Sequence, residues 1–290
     1  MNRENAFILS SWRAGSTLLQ RILNAHSRIV GLHEMHFPFL ELPPEARGWW
    51  RPECRRVLRL ALEALAACGV GAGWRELLSR DPLRNRATFD RVANAIRATH
   101  QKALFLDKTP NYSLHPQLIE TLFPEGVPRI LLVRSPGGVA ASCRATFPDV
   151  FPTIEAGLEH WHRYYSTLAE QMETQPRESC YRVAYEELLC GDAAVRKVCE
   201  FLHVEFEPTM LEYASKSPAS SLTGRRDFGD PSAKLKSGKI DSANGERWIE
   251  SHGAAVERWL DARPEARELA AKLGYAGALA SEVRGVRLSG

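Results

Sequence analysis

The sequence has no Cys-x-x-Cys pair, no cysteine spacing of the metal-binding kind, no internal repeat and no low-complexity tract. Its six cysteines, Cys54, Cys68, Cys143, Cys180, Cys190 and Cys199, are scattered. A chain of 290 residues can build a core that needs no disulfide staples, so they read as reduced and structural. Charge excess is also missing. Lys plus Arg number 38 against 35 Asp plus Glu, and the net +3 is too small to imply a nucleic-acid or membrane partner. The charge that matters is therefore local. A β-like run, Ala6 to Leu9, comes too early to leave room for a signal segment or membrane anchor, so the expected location is the cytoplasm. What is present, 44% hydrophobic and 25% charged residues, is the composition of an ordinary globular protein.

Short apolar runs ending in polar loops recur at Ala6 to Leu9, Ala103 to Leu106, Arg129 to Val133 and Tyr181 to Ala184, with helical periodicity between them. That alternation predicts an α/β fold, a single P-loop-like domain over residues 1–290 whose central, mainly parallel sheet is flanked by helices. Two stretches read as long irregular covering loops: residues 31–52, rich in Pro and aromatics, and 215–245, rich in Ser, Gly and Lys. Glu159 to Tyr165, with two histidines, a tryptophan and two tyrosines, has the spacing of a core-facing helix, and no metal is expected there.

After the first strand comes Ser10-Ser11-Trp12-Arg13-Ala14-Gly15-Ser16-Thr17-Leu18, leading into a helix. Backbone N–H groups at the helix start, the hydroxyls of Ser16 and Thr17 and the positive helix end form an anion cradle. It differs from the ATP-binding loop G-x-x-x-x-G-K-[ST], because no lysine precedes Ser16 and Arg13 stands two residues before the glycine; ATP or GTP with magnesium is disfavoured. A second cradle follows Arg129 to Val133. There Arg134 ends the strand, Ser135-Pro136-Gly137-Gly138 opens a helix, and Ser142 lies eight residues beyond the arginine. A planar guanidinium and a hydroxyl there suit a phosphate.

The ordered pair of motifs resembles the PAPS-dependent sulfotransferases, and among them the tyrosylprotein branch. The matching segments are Arg13-Ala14-Gly15-Ser16-Thr17-Leu18-Leu19, Gly31-Leu32-His33-Glu34, Asp107-Lys108-Thr109-Pro110, Leu132-Val133-Arg134 and Val183-Ala184-Tyr185-Glu186-Glu187-Leu188. Ala14 stands where that branch usually has Ser, and, unlike that branch, the chain is expected to have no membrane anchor. The resemblance implies a sulfotransferase that uses 3'-phosphoadenosine 5'-phosphosulfate and releases adenosine 3',5'-bisphosphate, without a metal. It implies Glu34 as the general base, with His33 and His36 as substitutes, and Lys108 and Arg13 as cations for the transferring group. It further implies that Arg13 to Leu18 bind the 5' end, Arg134 and Ser142 the 3'-phosphate, and that Tyr185 lies near the adenine. A basic loop covers the nucleotide, through Lys236 or Lys239. The expected acceptor is a small molecule or peptide bearing a hydroxyl, and no nucleic-acid partner is expected. Phe37, Phe39, Trp49 and Trp50 either line the acceptor pocket or fill the core. The alternatives are a P-loop-type nucleoside or small-molecule kinase and a non-catalytic nucleotide-binding protein.

Overall fold

A computed structural model describes residues 1–31, 34–48, 50–67, 82–213 and 245–275. Five parallel strands form one sheet in the order β2-β3-β1-β4-β5. They are β1 (Asn5–Leu9), β2 (Ile29–Gly31), β3 (Leu104–Asp107), β4 (Arg129–Val133) and β5 (Cys180–Ala184). Every residue of β1, β3 and β4 is buried, as expected of parallel strands covered on both faces. Phe7, Leu9, Phe105, Leu131 and Val133 point into one core cluster. Ala6, Ile8, Leu104, Leu106, Ile130 and Leu132 point into the other. This is the period of two expected of a pleated strand.

Helices cover both faces, among them Ser16–Asn24, Pro52–Ala67, Pro82–His100, Pro136–Thr146, Ile154–Thr174, Ala193–Phe201, Trp248–Asp261 and Pro264–Lys272. The Pro136–Thr146 and Ile154–Thr174 helices touch so closely that a Cβ on Gly157 would fall 2.7 Å from the Ala140 Cα. The second of these buries Trp161, Tyr164 and Tyr165, so the aromatic stretch packs against the core. Among the described residues, no helix is long and apolar enough to cross a membrane.

The described residues of the 31–52 stretch are more ordered than the expected loop. They contain a short helix, Pro38–Glu41, and a 3-10 turn, Pro44–Ala46. Phe37 and Phe39 stack at 5.2 Å within the core, which settles them as core residues, whereas Trp50 is exposed. Trp49 and the greater part of the 215–245 stretch, including Lys236 and Lys239, lie outside the described residues.

Because β1 sits between β3 and β4, the segments leaving all three strands open at the same sheet edge. Crevices beyond strand C-termini are where open α/β sheets bind ligands.

Candidate active site

The loop leaving β1 is pinned by Ser113, whose Oγ accepts the Ser10 N–H at 2.8 Å and donates to the Ser10 carbonyl at 3.0 Å. It then takes two left-handed steps, at Arg13 (φ 63°) and Gly15 (φ 93°), which swing the Ser16–Asn24 helix start toward the cleft. The glycine is required twice over: a Cβ there would be left-handed and would meet Tyr185 Cδ2 at 2.2 Å. Among the described residues, no side chain caps this helix and no acid stands in its first turn, so its amides and positive end are left for an anion.

β4 delivers Arg134 to the same place. Its guanidinium lies 4.2 Å over the Tyr185 ring, a cation–π stack, and its Nη1 donates to the Arg13 carbonyl at 2.8 Å. Arg13 Nε in turn donates to Ser142 Oγ at 3.0 Å. Glu186 ties the two strand ends together, accepting the Ser135 N–H at 3.1 Å and the Tyr275 hydroxyl at 2.8 Å. Arg13, Gly15, Ser16, Thr17, Leu18, Arg134 and Tyr185 thus border one cleft of about 260 Å³. Ala14 is buried in the core, and Ser142 stands behind Arg13.

Glu34 also borders this cleft. Lys108, only 1% exposed, donates to its Oε1 at 2.8 Å. Burial would raise the Glu34 carboxyl, but Lys108 and His36 outweigh it and hold the group well below the usual carboxylate range. The segment after Glu34 is fixed to the β3 end by three bonds. Thr109 Oγ1 accepts the Met35 and His36 N–H groups at 3.1 and 3.4 Å, and the Tyr112 hydroxyl accepts the Phe37 N–H at 2.9 Å. Both hydroxyls donate onward to Asp107, at 3.1 and 3.2 Å. Burial pushes Asp107 up to about 7, with the Thr109 and Tyr112 bonds restraining it. The candidate base and the candidate cation therefore sit on one stitched unit.

Sequence reasoning missed much of this unit. Thr109 follows Lys108 directly and stands in the run already singled out, so its role had a signal, whereas Tyr112 lies just beyond that run. Trp12 borders the cleft and donates to Asn111 Oδ1 at 2.9 Å, while Phe147, Leu60 and Arg56 line its outer wall; no motif marks them. His33 lies outside the described residues.

The sequence matches the profile described as "Sulfotransferase family" over residues 5–208. It is 34% identical to the nodulation protein NoeE of Sinorhizobium fredii (strain NBRC 101917 / NGR234) over 143 residues, covering 49% of this chain and 31% of that protein. The chain thus matches only about a third of that relative's length. In fold it is similar to the sulfotransferase domain from the curacin biosynthetic pathway, with a TM-score of 0.64 and 19% identity, covering 93% of this chain and 97% of that one. It is similar also to the sulfotransferase domain of the Synechococcus PCC 7002 olefin synthase, with a TM-score of 0.60 and 23% identity, covering 84% and 86% of the two chains. The profile identifies the family as a whole and does not single out the tyrosylprotein branch. With a profile match spanning well over half its length, the chain belongs to the sulfotransferase family.

Proposed function

We propose that the protein moves a sulfuryl group from 3'-phosphoadenosine 5'-phosphosulfate to an acceptor hydroxyl, in the cytoplasm. The observation that carries this is the convergence of Arg13 and Arg134, from two different strand-to-helix turns, on one cleft that Glu34 also borders. In this reading the start of the Ser16–Asn24 helix, with Ser16, Thr17 and Leu18, holds the 5'-phosphosulfate. Arg134 and Ser142 hold the 3'-phosphate, the Tyr185 ring supports the adenine, and Lys236 or Lys239 is expected to contact a phosphate.

Sulfuryl transfer asks the protein for alignment and charge neutralisation, much as phosphoryl transfer does. Glu34 takes the hydroxyl proton as the acceptor oxygen bonds to sulfur. The bond between sulfur and the bridging oxygen breaks, and the nucleotide leaves with the electron pair. Lys108 and Arg13 neutralise that oxygen; a preorganised donor at such a position is worth about 2.7–4 kcal/mol by the oxyanion-hole precedent. The acceptor enters between Trp12, Phe147, Leu60 and Asn111. A small molecule or a peptide side chain with a free hydroxyl fits this description.

Thermal melting with adenosine 3',5'-bisphosphate tests the reading. At about 100 times its Kd the ligand adds roughly 2.7 kcal/mol, which for a chain of this size raises Tm by about 4–5 °C. ATP with magnesium is expected to do far less. An equal or larger shift with ATP and magnesium would return the protein to the kinase reading.

A further inference from the structure

Beside Glu34 lies a second pair of ionisable groups that the transfer as described leaves unused. His36 is buried and adopts a left-handed backbone, φ 50°, a costly conformation for a non-glycine residue unless its surroundings impose it. Here Thr109 imposes it through the Met35 and His36 amides. The imidazole is aimed between two carboxylates. Nε2 lies 3.3 Å from Glu34 Oε2, and Nδ1 lies 2.8 Å from Glu41 Oε2.

Glu41 is itself fixed. Its side chain is 2% exposed, and its other oxygen accepts Asn111 Nδ2 at 2.6 Å. The amide orientation follows from its far side, where Asn111 Oδ1 accepts Trp12 Nε1 at 2.9 Å and the Tyr164 hydroxyl at 2.8 Å. The other charged groups facing this row are Lys108 on Glu34 Oε1, Asp107 beneath Thr109, and the half-exposed Arg56, 3.9 Å from Glu41 Oε1.

A neutral imidazole has one donor and one acceptor nitrogen, so it would turn a lone pair toward one of the two carboxylates. A ring held by carboxylates on both nitrogens carries both protons. Burial alone would lower His36, but its bonds to Glu34 and Glu41 raise it to about 9. Such an imidazolium has no lone pair to accept a proton, which removes His36 as a substitute base.

We infer that His36, backed by Glu41 and Asn111, is the positioning residue for the base. It clamps Glu34 Oε2 and leaves Oε1, the oxygen Lys108 occupies in this structure, to face the acceptor hydroxyl. The inference rests on the reading of Glu34 as base. It also accounts for the low proton affinity of Glu34: two cations hold it, and Lys108 departs for the bridging oxygen when the donor binds. Glu34 then becomes more basic at the moment a proton must be taken, while His36 keeps it aimed.

The test begins with 15N side-chain NMR of the histidines in the full-length protein, with His36→Gln assigning the signal. We expect one imidazolium that persists to about pH 9 and whose midpoint falls by a unit or more in Glu41→Gln. A wild-type midpoint near 6.5, or one indifferent to Glu41→Gln, overturns the clamp. Turnover is then followed with labelled 3'-phosphoadenosine 5'-phosphosulfate against phenols, sugars and tyrosine peptides. His36→Gln and Glu41→Gln should lower kcat tenfold or more and leave the donor KM and the melting shift from the bisphosphate unchanged, while Glu41→Asp, which keeps the carboxylate, should retain more turnover than Glu41→Gln. An unchanged kcat in His36→Gln overturns the positioning role. If the wild-type protein binds the bisphosphate yet sulfates no hydroxyl, the base reading fails and the role with it, whereas the NMR result stands apart from both.

Discussion

At the residue scale, binding and chemistry should separate by substitution. Arg134→Ala removes the cation stacked on Tyr185 and its bond to the Arg13 carbonyl. A charge-assisted bond is worth about 1.5–3 kcal/mol, so affinity for the bisphosphate should fall by roughly 10- to 150-fold in calorimetry. Glu34→Ala should leave that affinity nearly untouched and lower turnover by about 10²- to 10⁴-fold, the usual contribution of a general base. Retained turnover in Glu34→Ala would rule it out as the base. Both stand out as candidates in the sequence, Arg134 at the end of a readable strand and Glu34 through the ordered motif Gly31-Leu32-His33-Glu34. Glu41 and Asn111 do not, because Asn111 meets Glu41 and Trp12 only across 70 and 99 residues of chain.

At the scale of elements, the turn after β1 is the most exacting. Gly15→Ala would pay the left-handed backbone penalty, about 1–2 kcal/mol, and also drive a methyl into Tyr185. We expect the backbone penalty alone to lower Tm by about 2–3 °C and the bisphosphate shift to vanish; a variant that melts and binds like wild type would show the loop to be tolerant. The long strands and helices are readable because their hydrophobic period is sustained; β4 spans Arg129–Val133 as expected. β2 was not readable, since three residues cannot display a period. Ile29–Gly31 is a strand because β3 pairs with it and Asn24 accepts the Gly31 N–H at 2.9 Å. The order around Phe37 and Phe39 was hidden similarly: pocket and core read alike in sequence, and the choice falls to the Tyr112 hydroxyl that takes the Phe37 N–H and to Arg47, which holds the Phe39 carbonyl.

At the scale of the whole molecule, the buried charge row should appear in the pH dependence of stability. Folded His36 keeps its proton to about 9, against 6.5 for the ordinary side chain, so folding takes up a proton between these values. Its contribution is complete below 6.5 and is lost as pH rises through 9. Glu34 is shifted the other way; its contribution is complete above about 4.5 and is lost only in acid. Tm should therefore decline from pH 6.5 to 9, and His36→Gln should flatten that decline. A wild-type profile flat over this range would contradict the assignment. The parts of the cleft come from residues as far apart as Trp12 and Tyr185, carried by strands that adjoin only once β1 is seated between β3 and β4. Such long-range pairing is acquired late when a chain folds. In the proposed reading, a nucleotide that needs both cradles at once would bind only the finished molecule, and its binding would act as a thermodynamic reporter of how much of the population has completed folding.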